Sequence, residues 1–369
     1  MEKVKIIAFY LPQYHSIPEN NEWWGEGFTE WTTLKKGKPL FEGHYQPRIP
    51  LNNNYYCLLD ESIQEWQSKI AQDHGIYGFC YYHYWFNGHL LLEKPMEAML
   101  KNKRITIPFC VCWANEDWTN QWVSNQNKVL IAQKYGDQKE WEAHYKYLEQ
   151  FFLDDRYIKE DNSPLVIIYR PELVYDLEKM IECWKKLAVK SGFNGLKIAY
   201  QNQLYKYSKS YSPKLFDYQI EYQPQSAILQ MNNSFKLLRT IKRKISLFLE
   251  KHFHFNKSLN SKIKIFDYKS AWETIIHKKP KYDNEVAGGF VGWDNTPRKQ
   301  NRGFVFEGQT PELFEHYLKL QIKNIKENYH NNYLFMFAWN EWTEGGYLEP
   351  DEKYGYSYLE AIKRSVNEE

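Results

Sequence analysis

The chain has no apolar run long enough to cross a bilayer, which takes about 20 residues. Its mean hydropathy of −0.71 points the same way. It also lacks an excess of one charge. Lys and Arg number 48 against 46 Asp and Glu, a net +2, so the chain as a whole is not built for a polyanion and no nucleic-acid partner is expected. Cysteine is scarce: five, at Cys57, Cys80, Cys110, Cys112 and Cys183. An odd count with three members inside strand-like runs suits reduced, buried thiols. Cys110-Val111-Cys112 puts two sulfurs on one strand face, but no partner pair has ligand spacing, so no metal is expected. The short apolar stretch at residues 4–10 is followed by Leu11-Pro12-Gln13-Tyr14-His15 with no small-residue cleavage site. That reads as cytoplasmic rather than secreted. No glycine-rich phosphate loop, Ser-His-Asp order or Asp-x-Asp motif is visible, and no cofactor is expected.

Aromatic residues, by contrast, are abundant. They make up 18% of the chain, with 14 Trp and 30 Tyr. Flat apolar faces with polar edges suit sugar rings, which stack on them while their hydroxyls bond to side chains.

Eight apolar runs read as strands, at 4–10, 76–82, 107–113, 164–169, 196–201, 217–222, 288–292 and 333–339. Helical patterns lie between them at 60–73, 140–152, 177–191 and 311–329, the last with Thr310 as a candidate cap. Near-continuous apolar strands alternating with helices imply a parallel sheet covered on both faces. Eight of them imply a (β/α)8 TIM barrel, an α/β fold, here as a single domain over 1–369 with long βα-loop insertions at 12–58 and 225–287. A doubly wound open sheet is the rival. It would carry a phosphate-binding loop after the first strand, where Leu11-Pro12-Gln13 stands instead. The first insertion shows no obvious secondary structure. The second is strongly basic, and residues 235–249 within it read as a basic amphipathic helix. That helix suits either a solvated face or peripheral contact with a membrane carrying lipid-linked glycans.

In a barrel, sites form where strands run into βα loops. Polar and aromatic residues recur at those ends: Tyr10, Gln13 and His15; Tyr82, His83 and Trp85; Trp113, Asn115 and Glu116; Tyr169 and Arg170; Glu221; Trp293; Asn340 and Trp342. Trp24 and Trp31 join them from the first insertion. All are candidate substrate-binding residues, though His15 and His83 read equally well as structural histidines. The strongest feature is Trp339-Asn340-Glu341-Trp342-Thr343-Glu344-Gly345-Gly346. Two acids three positions apart close an apolar strand among tryptophans. Carboxylates are costly beside apolar surface. The chemistry that most needs such a pair is glycosidic bond cleavage or transfer. Glu341 and Glu344 are the candidate catalytic residues, and an oligosaccharide or polysaccharide is the candidate substrate.

Several long motifs occur in one order. They are residues 7–15, Trp23-Trp24-Gly25-Glu26-Gly27-Phe28-Thr29-Glu30-Trp31, His44-Tyr45-Gln46-Pro47-Arg48, residues 75–88, Cys112-Trp113-Ala114-Asn115-Glu116 and residues 339–350. On these the chain resembles the WbsX-type glycosyltransferase family of bacterial polysaccharide gene clusters, also described as glycoside hydrolase family 99-like. The resemblance implies a (β/α)8 barrel and carbohydrate chemistry. In family 99 endo-α-mannosidases the Asn-Glu-Trp-x-Glu-Gly motif supplies both catalytic acids. Carried over, Glu341 is the base on a sugar 2-hydroxyl, giving a 1,2-anhydro sugar, and Glu344 is the general acid and then base. That family usually has His where this chain has Thr343, a departure that bears on mannose specificity. The resulting expectation is a retaining hydrolase or transglycosylase acting on a bacterial surface polysaccharide or its precursor. The rivals are a nucleotide-sugar-dependent glycosyltransferase and a non-catalytic glycan-binding protein.

Overall fold

The structure is a computed structural model that describes residues 3–120, 128–203, 213–234 and 263–367. Eight parallel strands form a closed barrel: β1 (Lys5–Tyr10), β2 (Ile76–Phe86), β3 (Phe109–Trp113), β4 (Ser163–Ile168), β5 (Lys197–Asn202), β6 (Tyr218–Glu221), β7 (Glu285–Phe290) and β8 (Tyr333–Phe337). Each pairs with its neighbour in sequence, and β1 closes the ring by pairing with both β2 and β8. The strands are buried almost throughout because helices cover the outside and side chains fill the inside.

The outer layer contains α3 (Glu61–Asp73), α4 (Lys94–Lys101), α5 (Gln138–Phe152), α6 (Leu177–Lys190), α7 (Gln225–Ser234), α8 (Tyr268–Ile276), α10 (Pro311–Asn328) and α11 (Ser357–Asn367). The caps follow the sequence. Asp60 accepts from the Ser62 amide ahead of α3, and Thr310 accepts from the Leu313 amide ahead of α10. Between β5 and β6 the described residues hold only a short 3-10 turn, Pro213–Leu215. No helix among the described residues is long and apolar enough to cross a membrane.

Both insertions and two of the strands differ from what the sequence suggests. The first insertion is not structureless. It holds α1 (Pro18–Trp24), α2 (Glu30–Leu34) and a 3-10 turn at Leu51–Asn53. The second is largely the β6-to-β7 crossover and carries α7 and α8; the basic helix expected at 235–249 lies outside the described residues. Strand β2 runs on to Phe86 and folds back on His89–Leu91 through Asn87-Gly88, both at positive φ, a turn that suits a hairpin. Strand β7 runs through Gly288-Gly289 instead of starting there. A Cβ at Gly288 would lie 2.0 Å from the Glu221 carbonyl oxygen, so the close approach of β6 demands glycine.

Candidate active site

A cavity of about 360 Å3 opens at the C-terminal ends of the strands. Beyond β8, the backbone of Asn340 and Glu341 pairs antiparallel with Tyr347 and Gly346. Residues Trp342–Glu344 form a 3-10 turn that ends on Gly345 at φ 64°. This tight return aims both Glu341 and Glu344 into the cavity. Asn340 does not face it. Its side chain clips the strand end to Leu11, accepting from the Leu11 amide at 2.7 Å and donating to the Leu11 carbonyl at 3.0 Å.

The two acids share one buried cation. Arg298, from the short helix α9 (Thr296–Lys299), donates through Nη1 to Glu344 Oε1 at 2.9 Å and through Nη2 to Glu30 Oε2 at 2.9 Å. The same Nη2 stands 3.8 Å from Glu341 Oε2. Glu30 is the first residue of α2, and it also accepts from the Thr343 hydroxyl. Three carboxyl groups from three elements therefore converge on one guanidinium. Burial and the neighbouring Glu344 push the Glu341 carboxyl well above the usual range, against the pull of Arg298. Burial raises Glu344 too, again opposed by Arg298. Burial disfavours the charge on Arg298, but Glu30, Glu344 and Glu341 outweigh it and hold the guanidinium charged.

Of the residues expected to bind substrate, Gln13, Trp24, Tyr82, Glu116, Tyr169 and Trp293 line this cavity. The others do not, and their positions correct the expectation. Tyr10 points outward and donates to Gln67 of α3 at 2.6 Å. His83 meets His144 of α5 at 2.9 Å, and Trp85 donates to Glu140 at 2.6 Å. Trp113 packs on His144 and Trp184 behind the barrel wall. Glu221 faces Lys278. His15 sits at 3.1 Å from the Pro12 carbonyl and is held neutral, its pKa lowered to about 4 by burial. Trp31 donates to the Tyr56 carbonyl at 2.7 Å, and Trp342 donates to Glu349 at 2.6 Å. Asn115 and Arg170 stand behind the wall. Asn115 accepts from the Arg170 amide at 2.7 Å, and the Arg170 guanidinium pairs with Glu116 and Glu172.

Tyr84, Tyr222 and an apolar wall of Phe28 and Trp118 line it too, together with Glu30, Arg298 and Lys299, which were not anticipated. Trp24 packs 4.7 Å from Phe28 and 6.4 Å from Trp118, ring centre to ring centre, so the wall is continuous. Strand parity is the signal that finds the two tyrosines. Tyr82 faces the lumen, so Tyr84, two residues on, does as well. Among the described residues no group of three or more His, Cys, Asp or Glu is placed to hold a metal ion.

A second layer fixes the floor. Asp294, just beyond β7, accepts from His44 at 2.9 Å, Gln46 at 2.6 Å and the Thr296 hydroxyl at 2.6 Å. Its amide donates to the Glu344 carbonyl at 2.6 Å. Glu349 is buried under Trp342 and accepts from Tyr56, Gln67 and Trp342.

Comparisons with known proteins match this geometry at the level of fold and family. A family model described as Glycosyltransferase WbsX covers residues 6–362. The uncharacterized protein WxcX of Xanthomonas campestris pv. campestris (strain B100) is 31% identical over 366 residues, which is 98% of this chain and 49% of that protein. The chain thus spans about half the length of the curated relatives it matches. Among solved structures, one described as a glycoside hydrolase-like protein aligns with a TM-score of 0.58 at 13% identity, over 99% of this chain and 94% of the other. The GH99 endo-alpha-mannosidase from Bacteroides thetaiotaomicron aligns with a TM-score of 0.54 at 13% identity, over 98% of this chain and 96% of the other. At that identity these likenesses speak for the barrel alone. With nearly its whole length matched by the family model, the chain belongs to the WbsX glycosyltransferase family.

Proposed function

We propose that the protein is a carbohydrate-active enzyme that cleaves or transfers a glycosidic bond in a bacterial surface polysaccharide or its precursor, with retention at the anomeric carbon. The observation that carries this is the pair Glu341 and Glu344, the first buried and the second largely so, both lining one cavity and both beside Arg298. In the mechanism that the family resemblance implies, Glu341 takes the proton from the sugar 2-hydroxyl. That oxygen bonds to C1 as the glycosidic C–O bond breaks, and the leaving oxygen takes its proton from Glu344. Water or an acceptor hydroxyl then adds at C1 as the bond from C1 to the C2 oxygen breaks, and gives its proton to Glu344, while the released C2 oxygen regains its proton from Glu341. Two inversions at C1 give net retention. Trp24, Phe28 and Trp118 supply the stacking wall.

The family's description favours a second reading, transfer from a nucleotide sugar. The cavity's charge weighs against it. Glu30, Glu116, Asp117, Glu341 and Glu344 line it against Arg298 and Lys299, an excess of carboxyl groups that a diphosphate would meet unfavourably. The test that separates an enzyme from a glycan-binding protein uses Glu341→Gln and Glu344→Gln with calorimetric binding of the polysaccharide. Binding retained with turnover lost in both variants supports the proposal; binding without turnover in the unaltered protein overturns it.

A further inference from the structure

The cluster at the base of the cavity holds three carboxyl groups and one guanidinium. Arg298 commits its two bonds at 2.9 Å to Glu30 and Glu344. Glu341 is left at 3.8 Å, with a buried Oε2 that has no hydrogen-bond partner among the described residues. With Lys299 the next cation lining the cavity among the described residues, three ionised carboxylates on one guanidinium would leave largely buried negative charge uncompensated, which is costly. Glu30 is no surface acid either. It is 4% exposed and anchored by the Thr343 hydroxyl inside the acid motif itself.

We propose that Glu30 and Arg298 are positioning residues that keep one proton on the Glu341–Glu344 pair, so that the resting site holds one acid and one base. Arg298 favours ionisation of the pair and Glu30 opposes it. The proton belongs to the coupled pair, and its midpoint is set by the balance of these two partners. Among the described residues, the other titratable groups facing the pair come from the elements packed around it. They are Tyr14 after β1, Tyr82 and Tyr84 of β2, Tyr222 after β6 and Lys299 of α9. The tyrosines are held neutral by burial, so Lys299 is the remaining cation lining the cavity among the described residues.

This inference rests on reading Glu341 and Glu344 as the reacting pair, yet the two can fail separately because its test needs no substrate. Infrared difference spectroscopy follows the protonated-carboxyl band with pH in the unaltered protein and in Glu30→Gln, Arg298→Gln, Arg298→Lys and Glu341→Gln. Glu349, buried with its carboxyl pushed up to about 7, contributes a band common to all five, which cancels in the differences. A protonated carboxyl at neutral pH, lost in Glu341→Gln, is the expected result. Glu30→Gln should lower its midpoint and Arg298→Gln should raise it, each by about one pH unit, with Arg298→Lys between Arg298→Gln and the unaltered protein. A merely structural pair of residues would not move the midpoint in opposite directions. Shifts of one sign, or no band removed by Glu341→Gln, overturn the inference. Should Arg298→Gln not fold, the downward shift in the near-isosteric Glu30→Gln decides alone. Where turnover is measurable, the pH–rate profile should move with the same signs.

Discussion

His44 Nε2 lies 2.9 Å from Asp294 Oδ2, joining the first long loop to the end of β7 directly behind the acid motif. The contact spans 250 positions of sequence and both partners are buried. Burial raises the Asp294 carboxyl, but His44, Arg48, Thr296 and Gln46 outweigh it and hold the group down, from 3.8 to about 2. The lowered value means that the folded state favours the carboxylate. Its contribution, about 2 kcal/mol, is present above about pH 4 and is lost as pH falls through about 2. Asp294→Asn should therefore destabilise the protein at neutral pH by about 3 kcal/mol, because His44 and Arg48 are left without their anion. It should also flatten the acid limb. Urea melts at pH 7 and pH 3 measure both effects.

Glu349 predicts the opposite slope. Burial outweighs the hydrogen bonds it accepts and pushes the carboxyl up from 4.5 to about 7. A raised carboxyl favours the protonated form in the folded state. Its contribution is full below about pH 4.5 and is lost as pH rises through about 7. Glu349→Gln should keep the barrel and flatten the fall in melting temperature between pH 5 and about 7. A melting series across that range checks it.

Gly345 allows the return that aims the acids. At φ 64°, an added Cβ would stand 2.8 Å from the Asp294 nitrogen and 3.0 Å from its Cβ. Backbone cannot yield as a flexible side chain can. Gly345→Ala should cost about 2 kcal/mol in stability and should reduce turnover more than substrate affinity, since Glu344 is displaced. Paired melting and kinetic measurements separate the two.

The barrel was legible because its strands are continuously apolar and its helices carry their own caps, Asp60 and Thr310 among them. The placement of Glu341 and Glu344 in one cavity was legible because two acids three positions apart close an apolar strand among tryptophans. The cavity wall was only partly legible, and one physical rule accounts for most of the difference. Side chains alternate across a strand. Tyr82 and Tyr84 face the lumen while His83 and Trp85 face α5, and Tyr222 faces in while Glu221 faces Lys278. A residue at a strand end is not thereby inside the barrel. Glu30 and Arg298 were illegible for another reason. Their bond links positions 268 apart. Locally, Glu30 is an ordinary first-turn acid and Arg298 the start of a basic stretch with Lys299 and Arg302.

The aromatic wall carries its own expectation. Trp24 is half-buried against Phe28 and Trp118 while lining the cavity. Trp24→Ala should raise KM about tenfold with kcat little changed, the mark of lost binding without lost chemistry, on the order of 1.4 kcal/mol.

The central claim is that Glu341 and Glu344 break or transfer a glycosidic bond without a nucleotide donor. The most direct measurement incubates the unaltered protein and Glu344→Gln with the surface polysaccharide of the source organism, with and without nucleotide sugars, and reads chain lengths by mass spectrometry. Shortened or redistributed chains from the unaltered protein alone, independent of nucleotide sugar, are the predicted result. Chain extension that occurs only when a nucleotide sugar is present would contradict it.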